Sequence, residues 1–153
     1  MTPWFSTPER IHALQTEAER WIGTPFHPHG KVCGRGGGVS CETLPLVLYQ
    51  AAGVIGDSFC IPVAPIGWGN SHRSSVMSEF LDHCAMFERV EPVLSQLAVG
   101  DLLGFRIGRV VHHLGVSVWP GVFVHCLKPQ GVHCSALGDA TWLKRLGRAW
   151  RPV

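Results

Sequence analysis

The feature that most limits the folds open to this chain is a change in the spacing of its apolar residues. Up to about residue 88, apolar side chains recur every three or four positions, as they do in amphipathic helices. From residue 101 onward the chain consists of short apolar or β-branched segments separated by glycine and proline, which is typical of strands. Helices followed by a block of strands indicate an α+β fold.

Three helices are predicted in the first part of the chain. The first begins at Pro8, has Thr7 as its N-cap and ends before Gly23. The other two cover about residues 40–53 and Ser74–Glu88. The segment between them is rich in proline and glycine and is predicted to be a loop over Asp57–Asn70.

The second part is predicted to form an antiparallel sheet onto which the helices pack. The closing segment, Thr141–Trp150, is interpreted as a short basic helix or an irregular tail. With 153 residues, the chain is expected to form one domain over 1–153. The predicted strands are Asp101–Ile107, Arg109–Trp119, Val122–Leu127 and Gly131–Ser135.

The composition excludes several classes of protein. Hydrophobic residues make up 46% of the chain and charged residues 16%, which is the reverse of the balance in disordered proteins. The formal net charge of +2 gives no reason to expect binding to nucleic acid, and no apolar stretch approaches the ~20 residues of a membrane span. The amino terminus lacks the pattern of a signal peptide, so we expect a protein that is cytoplasmic as synthesised, or virion-associated or released later, with reduced thiols.

Cys41 is the first candidate for chemistry. It lies at the predicted start of the second helix, where the helix dipole and unpaired N–H groups favour a thiolate. The preceding loop is rich in glycine, so a substrate backbone could approach the sulfur closely. Pro45 is expected to make the first turn of this helix irregular. A cysteine on a helix is also a common buried apolar residue, and that alternative stays open at this stage.

Two histidines on a predicted hairpin are the second candidate. If residues 119–121 form its loop, His125 lies opposite Gly115 and His113 lies opposite Leu127. The two imidazoles then share one face as a diagonal pair, roughly 7–8 Å apart at the backbone. Such a pair can act as a base and the group that orients it.

The order of these motifs resembles that of the NlpC/P60 cysteine peptidases, a papain-like superfamily, over about residues 10–152. The two histidines are twelve residues apart, which is the family's usual interval between the base and the third member. The opening motif, the long loop before the cysteine and the closing Ala149–Pro152 look most like the phage-tail-associated branch. The motifs are Trp21–Phe26, Gly38–Cys41, Gly100–Phe105, His113–Val116 and Phe123–His125.

The resemblance implies an amide hydrolase. Cys41 would be the nucleophile, His113 the general base and His125 the residue that orients His113, with the Cys41 N–H stabilising the oxyanion. The family typically cleaves cell-wall peptide stems between D-γ-glutamyl and a diamino acid, so a peptide or cell-wall fragment is the implied substrate. No metal or organic cofactor is implied, and association with a phage tail or with a second copy is a further expectation.

The region expected to face the substrate departs from the family pattern. Ser40 stands where an aspartate is usual, Glu42 and Thr43 replace a Ser-Gly pair, and Phe26 replaces a tyrosine. Together with Trp68, which is predicted to wall the cleft, these residues are the candidate substrate-binding set. The departures favour retained amide or thioester chemistry on an altered substrate.

Three other interpretations compete with this one. Adjacent pairs such as His112–His113 suggest zinc, but they lack zinc-ligand spacing and would point to opposite faces of a strand. A catalytically silent tail-assembly or scaffold protein could keep the same fold. A basic cluster near Trp142 and Trp150 could bind anions or RNA, although a solvated helix face explains it as well.

Overall fold

A computed structural model describes residues 1–60 and 76–153 of the protein. The predicted loop therefore lies largely outside the described residues, and so does Trp68. The helices are α1 (Pro8–Trp21), α2 (Thr43–Ala51), α3 (Val76–Asp82) and α4 (Ala140–Arg145), with a short 3₁₀ turn at Leu94–Gln96. The strands are β1 (Lys31–Val32), β2 (Gly38–Val39), β3 (Phe87–Val90), β4 (Leu102–Ile107), β5 (Val110–Trp119), β6 (Val122–Leu127), β7 (Gly131–Ala136) and β8 (Leu146–Pro152).

The main element is a six-stranded antiparallel sheet in the order β3-β8-β4-β5-β6-β7. A separate two-stranded ladder joins β1 and β2 just before the cysteine turn. The predicted α+β fold is thus confirmed, and the four predicted strands are present to within one residue at either end. The first helix also starts as predicted, because the Thr7 side chain accepts a hydrogen bond from the Arg10 N–H.

The side chains of the sheet form two apolar layers, one on each face, because successive side chains of a strand point to opposite faces. On one face, Leu114, Val116 and Val118 of β5 pack with residues of α1 and α2, including Leu14 and Leu48. On the other face, the second layer is covered by Trp142 of α4. It contains Leu103, Phe105, Phe123, Leu137, Leu146 and Ala149.

Two predicted elements differ from the structure. The helix predicted over Ser74–Glu88 ends at Asp82, because the chain turns and Phe87–Val90 forms strand β3. The closing segment is a short helix followed by β8, which lies inside the sheet between β3 and β4. Both strands depend on pairing between distant parts of the chain, which apolar spacing does not reveal.

A buried ion pair fixes the start of β4 against β8. Asp101 is 1% exposed and accepts hydrogen bonds from Nε and Nη2 of Arg151, each at 2.8 Å. Its carboxylate also accepts the Ala98 N–H at 2.8 Å. The preceding Gly100 has a φ of +97°, and a Cβ there would collide with the Phe5 ring, so a glycine is required before this aspartate.

Candidate active site

Cys41 lies in a turn immediately before α2. Ser40 caps this turn: its Oγ accepts the N–H groups of Glu42 and Thr43 at 3.3 and 3.1 Å. The helix proper begins at Thr43, so Pro45 is its third residue, where no N–H partner within the helix is needed. This arrangement is the irregular start that Pro45 predicted. Within the described part of the chain, the Cys41 N–H interacts with its own sulfur, and no other hydrogen bond engages it.

The same turn is tied to the preceding loop by Thr43. Its hydroxyl donates to the Gly30 carbonyl at 2.6 Å and accepts the Ser40 N–H at 2.8 Å. Ser40 and Thr43 are 6% and 3% exposed, so both hydroxyls serve the geometry of the turn. Ser40 supplies a capping oxygen at the position where the family usually has an aspartate, which accounts for that departure. Direct substrate contact by these two residues stays a prediction.

The sulfur of Cys41 lies against the backbone that carries His113. Its Sγ donates to the His112 carbonyl at 3.8 Å and is also approached by the Leu114 N–H. Burial raises the pKa of Cys41 to about 12, with the Glu42 charge as the second cause and the Leu114 N–H as an opposing one. Burial therefore opposes the thiolate that the position before a helix was expected to favour.

The two hairpin histidines are brought together as predicted. Gly115 lies opposite His125 in the β5–β6 ladder. His113 and His125 are 3% and 0% exposed, and His113 Nε2 lies 2.8 Å from His125 Nδ1. A Cβ at Gly115 would lie 2.7 Å from the Phe123 ring, so glycine at this position leaves room for the aromatic packing beside His125.

Ser135 extends the histidine pair and was missed by sequence reasoning. Its Oγ lies 2.8 Å from His125 Nε2. The β6–β7 register places His133 directly opposite His125, and Ser135 is two residues further along the same face. The sequence does carry the signal, since a turn at residues 128–130 predicts this register.

The two hydrogen bonds link the tautomers of the histidines. If Nδ1 of His113 is to accept a proton, its Nε2 must carry hydrogen and donate to His125 Nδ1. Nε2 of His125 must then carry hydrogen as well, and Ser135 Oγ must accept it. Among the described residues, no hydrogen bond engages His113 Nδ1, and none joins Cys41 to the His113 imidazole.

Aromatic rings surround the histidine pair and hold it neutral. Trp142 has its ring centroid 5.7 Å from that of His113 and 4.8 Å from that of His125. Burial lowers the pKa of His113 to about 3 and that of His125 to about 2, and electrostatic repulsion from neighbouring histidines adds to both shifts. At neutral pH both imidazoles are therefore neutral, with one N–H each.

The remaining candidate residues lie around the turn. Phe26 is half-buried and forms a bridge with Val39, next to the cysteine turn. Glu42 is half-buried, and burial raises the pKa of its carboxyl to about 7.

In residues 1–60 and 76–153, no three His, Cys, Asp or Glu side chains are grouped as metal ligands. No helix in the described ranges has the length and apolar character needed to cross a bilayer.

Comparison with known proteins gives a sequence match of limited extent. No family model matches the chain. A segment of 57 residues is 37% identical to the murein DD-endopeptidase MepS/murein LD-carboxypeptidase of Escherichia coli K12. The match covers 37% of this chain and spans only 30% of the relative's length.

Solved structures match over far more of the chain. A lipoprotein-like NLP/P60 family protein from Staphylococcus aureus aligns over 100% of this chain and 44% of its own, with a TM-score of 0.63 and 19% identity. An NlpC/P60 family protein from Bacillus cereus covers 91% of this chain and 39% of its own, with a TM-score of 0.60 and 19% identity. The NlpC/p60 domain of the peptidoglycan hydrolase SagA covers 91% of this chain and 96% of its own, with a TM-score of 0.57 and 21% identity. The chain thus has the fold of NlpC/P60 proteins, as the resemblance implied, while the phage-tail-associated branch stays a prediction.

Proposed function

We propose that this chain is a distant NlpC/P60-type cysteine peptidase that hydrolyses amide bonds of cell-wall peptide stems or of a related, altered substrate. The observation that carries the proposal is the buried hydrogen bond of 2.8 Å between His113 of β5 and His125 of β6. The Cys41 sulfur contacts the backbone of β5 next to His113. The similarity to MepS and the fold shared with the SagA domain support the substrate class.

The proposed reaction uses three side chains and one backbone group. Cys41 Sγ attacks the amide carbonyl while its proton passes to His113 Nδ1, and the Cys41 N–H stabilises the resulting oxyanion. His113 then returns the proton to the leaving amine, which breaks the C–N bond and leaves a thioester. A water molecule that His113 deprotonates hydrolyses the thioester and frees the Cys41 thiol. His125 holds His113 in the required tautomer throughout.

The resting protonation states determine how this reaction starts. The free protein holds a neutral thiol beside a neutral imidazole, since the pKa of Cys41 is raised and that of His113 is lowered. No ion pair therefore precedes attack, and proton transfer accompanies formation of the C–S bond. In this step Sγ exchanges the His112 carbonyl for His113 Nδ1 as its hydrogen-bond partner.

One observation favours a second candidate, a silent tail-assembly or scaffold protein that keeps the fold. The Cys41 thiol bonds to a backbone carbonyl rather than to an imidazole, and its raised pKa disfavours the thiolate. Association with a phage tail or with a second copy would belong to this candidate.

Hydrolysis of defined amides separates the two candidates. The purified protein is incubated with cell-wall fragments and simple γ-glutamyl amides, and released amine is measured by mass spectrometry. We expect release that is lost in Cys41→Ala and His113→Ala but kept in Cys134→Ala, which removes an exposed thiol on β7. Release that survives in Cys41→Ala would refute the proposal. No release from any fragment would favour the scaffold.

A further inference from the structure

A cavity of about 450 Å³ opens between α4 and the end of β4. This volume is large enough for part of a ligand of modest size. Among the described residues that line it, three are cationic and none is acidic. The lining residues are Arg106, Ile107, Gly108, Thr141, Lys144 and Arg145.

The three cations of this cavity, Arg106, Lys144 and Arg145, are not neutralised by ion pairs within the described part of the chain. The ion pairs found there use Arg20, Arg89 and Arg151 instead. Of the basic residues near Trp142 and Trp150, Arg151 pairs with Asp101, whereas Lys144 and Arg145 line the cavity without an ion pair among the described residues.

The guanidinium of Arg106 lies close to the backbone of β8 at Gly147. A Cβ at Gly147 would lie 3.2 Å from its Cζ and 3.3 Å from its Nε, closer than ordinary van der Waals contact. The absence of a side chain at Gly147 therefore lets this guanidinium lie close to the strand, beside the cavity. A planar guanidinium held in this way suits a carboxylate, which it can bind through two N–H groups.

The Trp142 indole contacts both a residue of the cavity, Arg145, and the histidine pair. The Arg145 Cζ lies 5.6 Å from the ring centroid of Trp142, and that ring contacts both His113 and His125. The cavity therefore lies on the same side of the sheet as the proposed catalytic histidines.

We infer that this cavity binds a carboxylate of the peptide substrate. The inference rests on the proposed function, since peptide stems with a γ-linked glutamyl residue keep a free α-carboxylate. The overall charge of +2 and the small size of the cavity favour one anionic group over a nucleic-acid backbone.

Binding can be measured without turnover by using the Cys41→Ala protein. The probe is L-alanyl-γ-D-glutamyl-L-lysine with free carboxylates, titrated by calorimetry beside the same peptide with both carboxylates amidated. We expect the free acid to bind more tightly, and Arg145→Gln or Arg106→Gln to weaken it about tenfold while leaving the amidated peptide unchanged. Lys128→Gln, which removes an exposed charge at the β6–β7 turn, should have no effect.

Other binding results overturn the inference. Equal binding of the free and amidated peptides, or equal loss in Lys128→Gln, would show that no carboxylate is recognised in the cavity. Tighter binding of inorganic phosphate that is lost in the same variants would assign the cavity to a phosphate instead. Absence of hydrolysis by the unmodified protein, with these binding results intact, would refute the proposed function but not the carboxylate site.

Discussion

Replacing Ser135 by alanine tests the link between the two histidine tautomers. The hydroxyl lies 2.8 Å from Nε2 of His125, a residue that is 0% exposed. Without this acceptor, the productive tautomer leaves a buried N–H unpaired. The proton then moves to Nδ1 of His125, which reverses the bond to His113 and blocks His113 Nδ1 with hydrogen.

The size of the effect follows from one neutral hydrogen bond. Such a bond contributes about 1 kcal/mol, so the ratio of the two tautomers should shift about fivefold in Ser135→Ala. The same loss should lower the melting temperature by about 2–4 °C for a chain of this length. The rate of substrate hydrolysis should fall with the productive fraction, by at most about fivefold.

Nitrogen-15 NMR of the imidazoles reads the tautomers directly. We expect hydrogen on Nε2 of both His113 and His125 in the unmodified protein, and a substantial Nδ1-protonated population in Ser135→Ala. Ser135→Thr keeps a hydroxyl and serves as the matched control. Hydrogen on Nδ1 of His125 in the unmodified protein, or identical spectra for the alanine variant, would show that the reasoning is wrong.

Two predictions concern stability. Below pH 6.5, unfolding gains protons at His113 and His125, whose folded pKa values are lowered, so stability falls on acidification by up to about 1.4 kcal/mol per histidine per pH unit. Glu42 acts oppositely between about pH 4.5 and 7, because its folded pKa is raised and the folded protein binds the extra proton there. In Glu42→Gln, denaturant titrations should therefore show that the free energy of unfolding falls more steeply on acidification. An unchanged dependence on pH would contradict this. Asp101→Asn breaks a buried ion pair and should cost about 3 kcal/mol in thermal unfolding, whereas Arg89→Gln, which removes one partner of a 3.7 Å pair at a half-exposed arginine, should cost under about 1 kcal/mol. Equal losses of stability in these two variants would show that the buried Asp101–Arg151 pair contributes no more than the exposed pair.

Local patterns made most of the sheet predictable. The β5–β6 hairpin is joined by a short turn, so its register could be obtained from the sequence, and Gly115 does lie opposite His125. The pairing of the two histidines followed from that register. The N-cap of α1 was predictable for the same reason, since Thr7 and Pro8 act within one turn.

Long-range contacts account for what the sequence did not show. Strand β8 pairs with β3 and β4, which are more than forty positions away, and its arginines resembled a solvated helix face. The protonation of Cys41 depends on burial against β5, which no local motif encodes. Ser135 was missed because it required the register of a second hairpin.

The interior position of β8 has a consequence for the order in which the chain can assemble. Phe87–Val90 joins the sheet only through Leu146–Pro152, so a ribosome must release residue 152 before this edge finds its neighbour. Such sequence-distant pairing slows folding. Nascent chains halted before residue 146 should therefore expose β3 and β4 as unpaired edges, open to chaperones and proteases until synthesis passes that point.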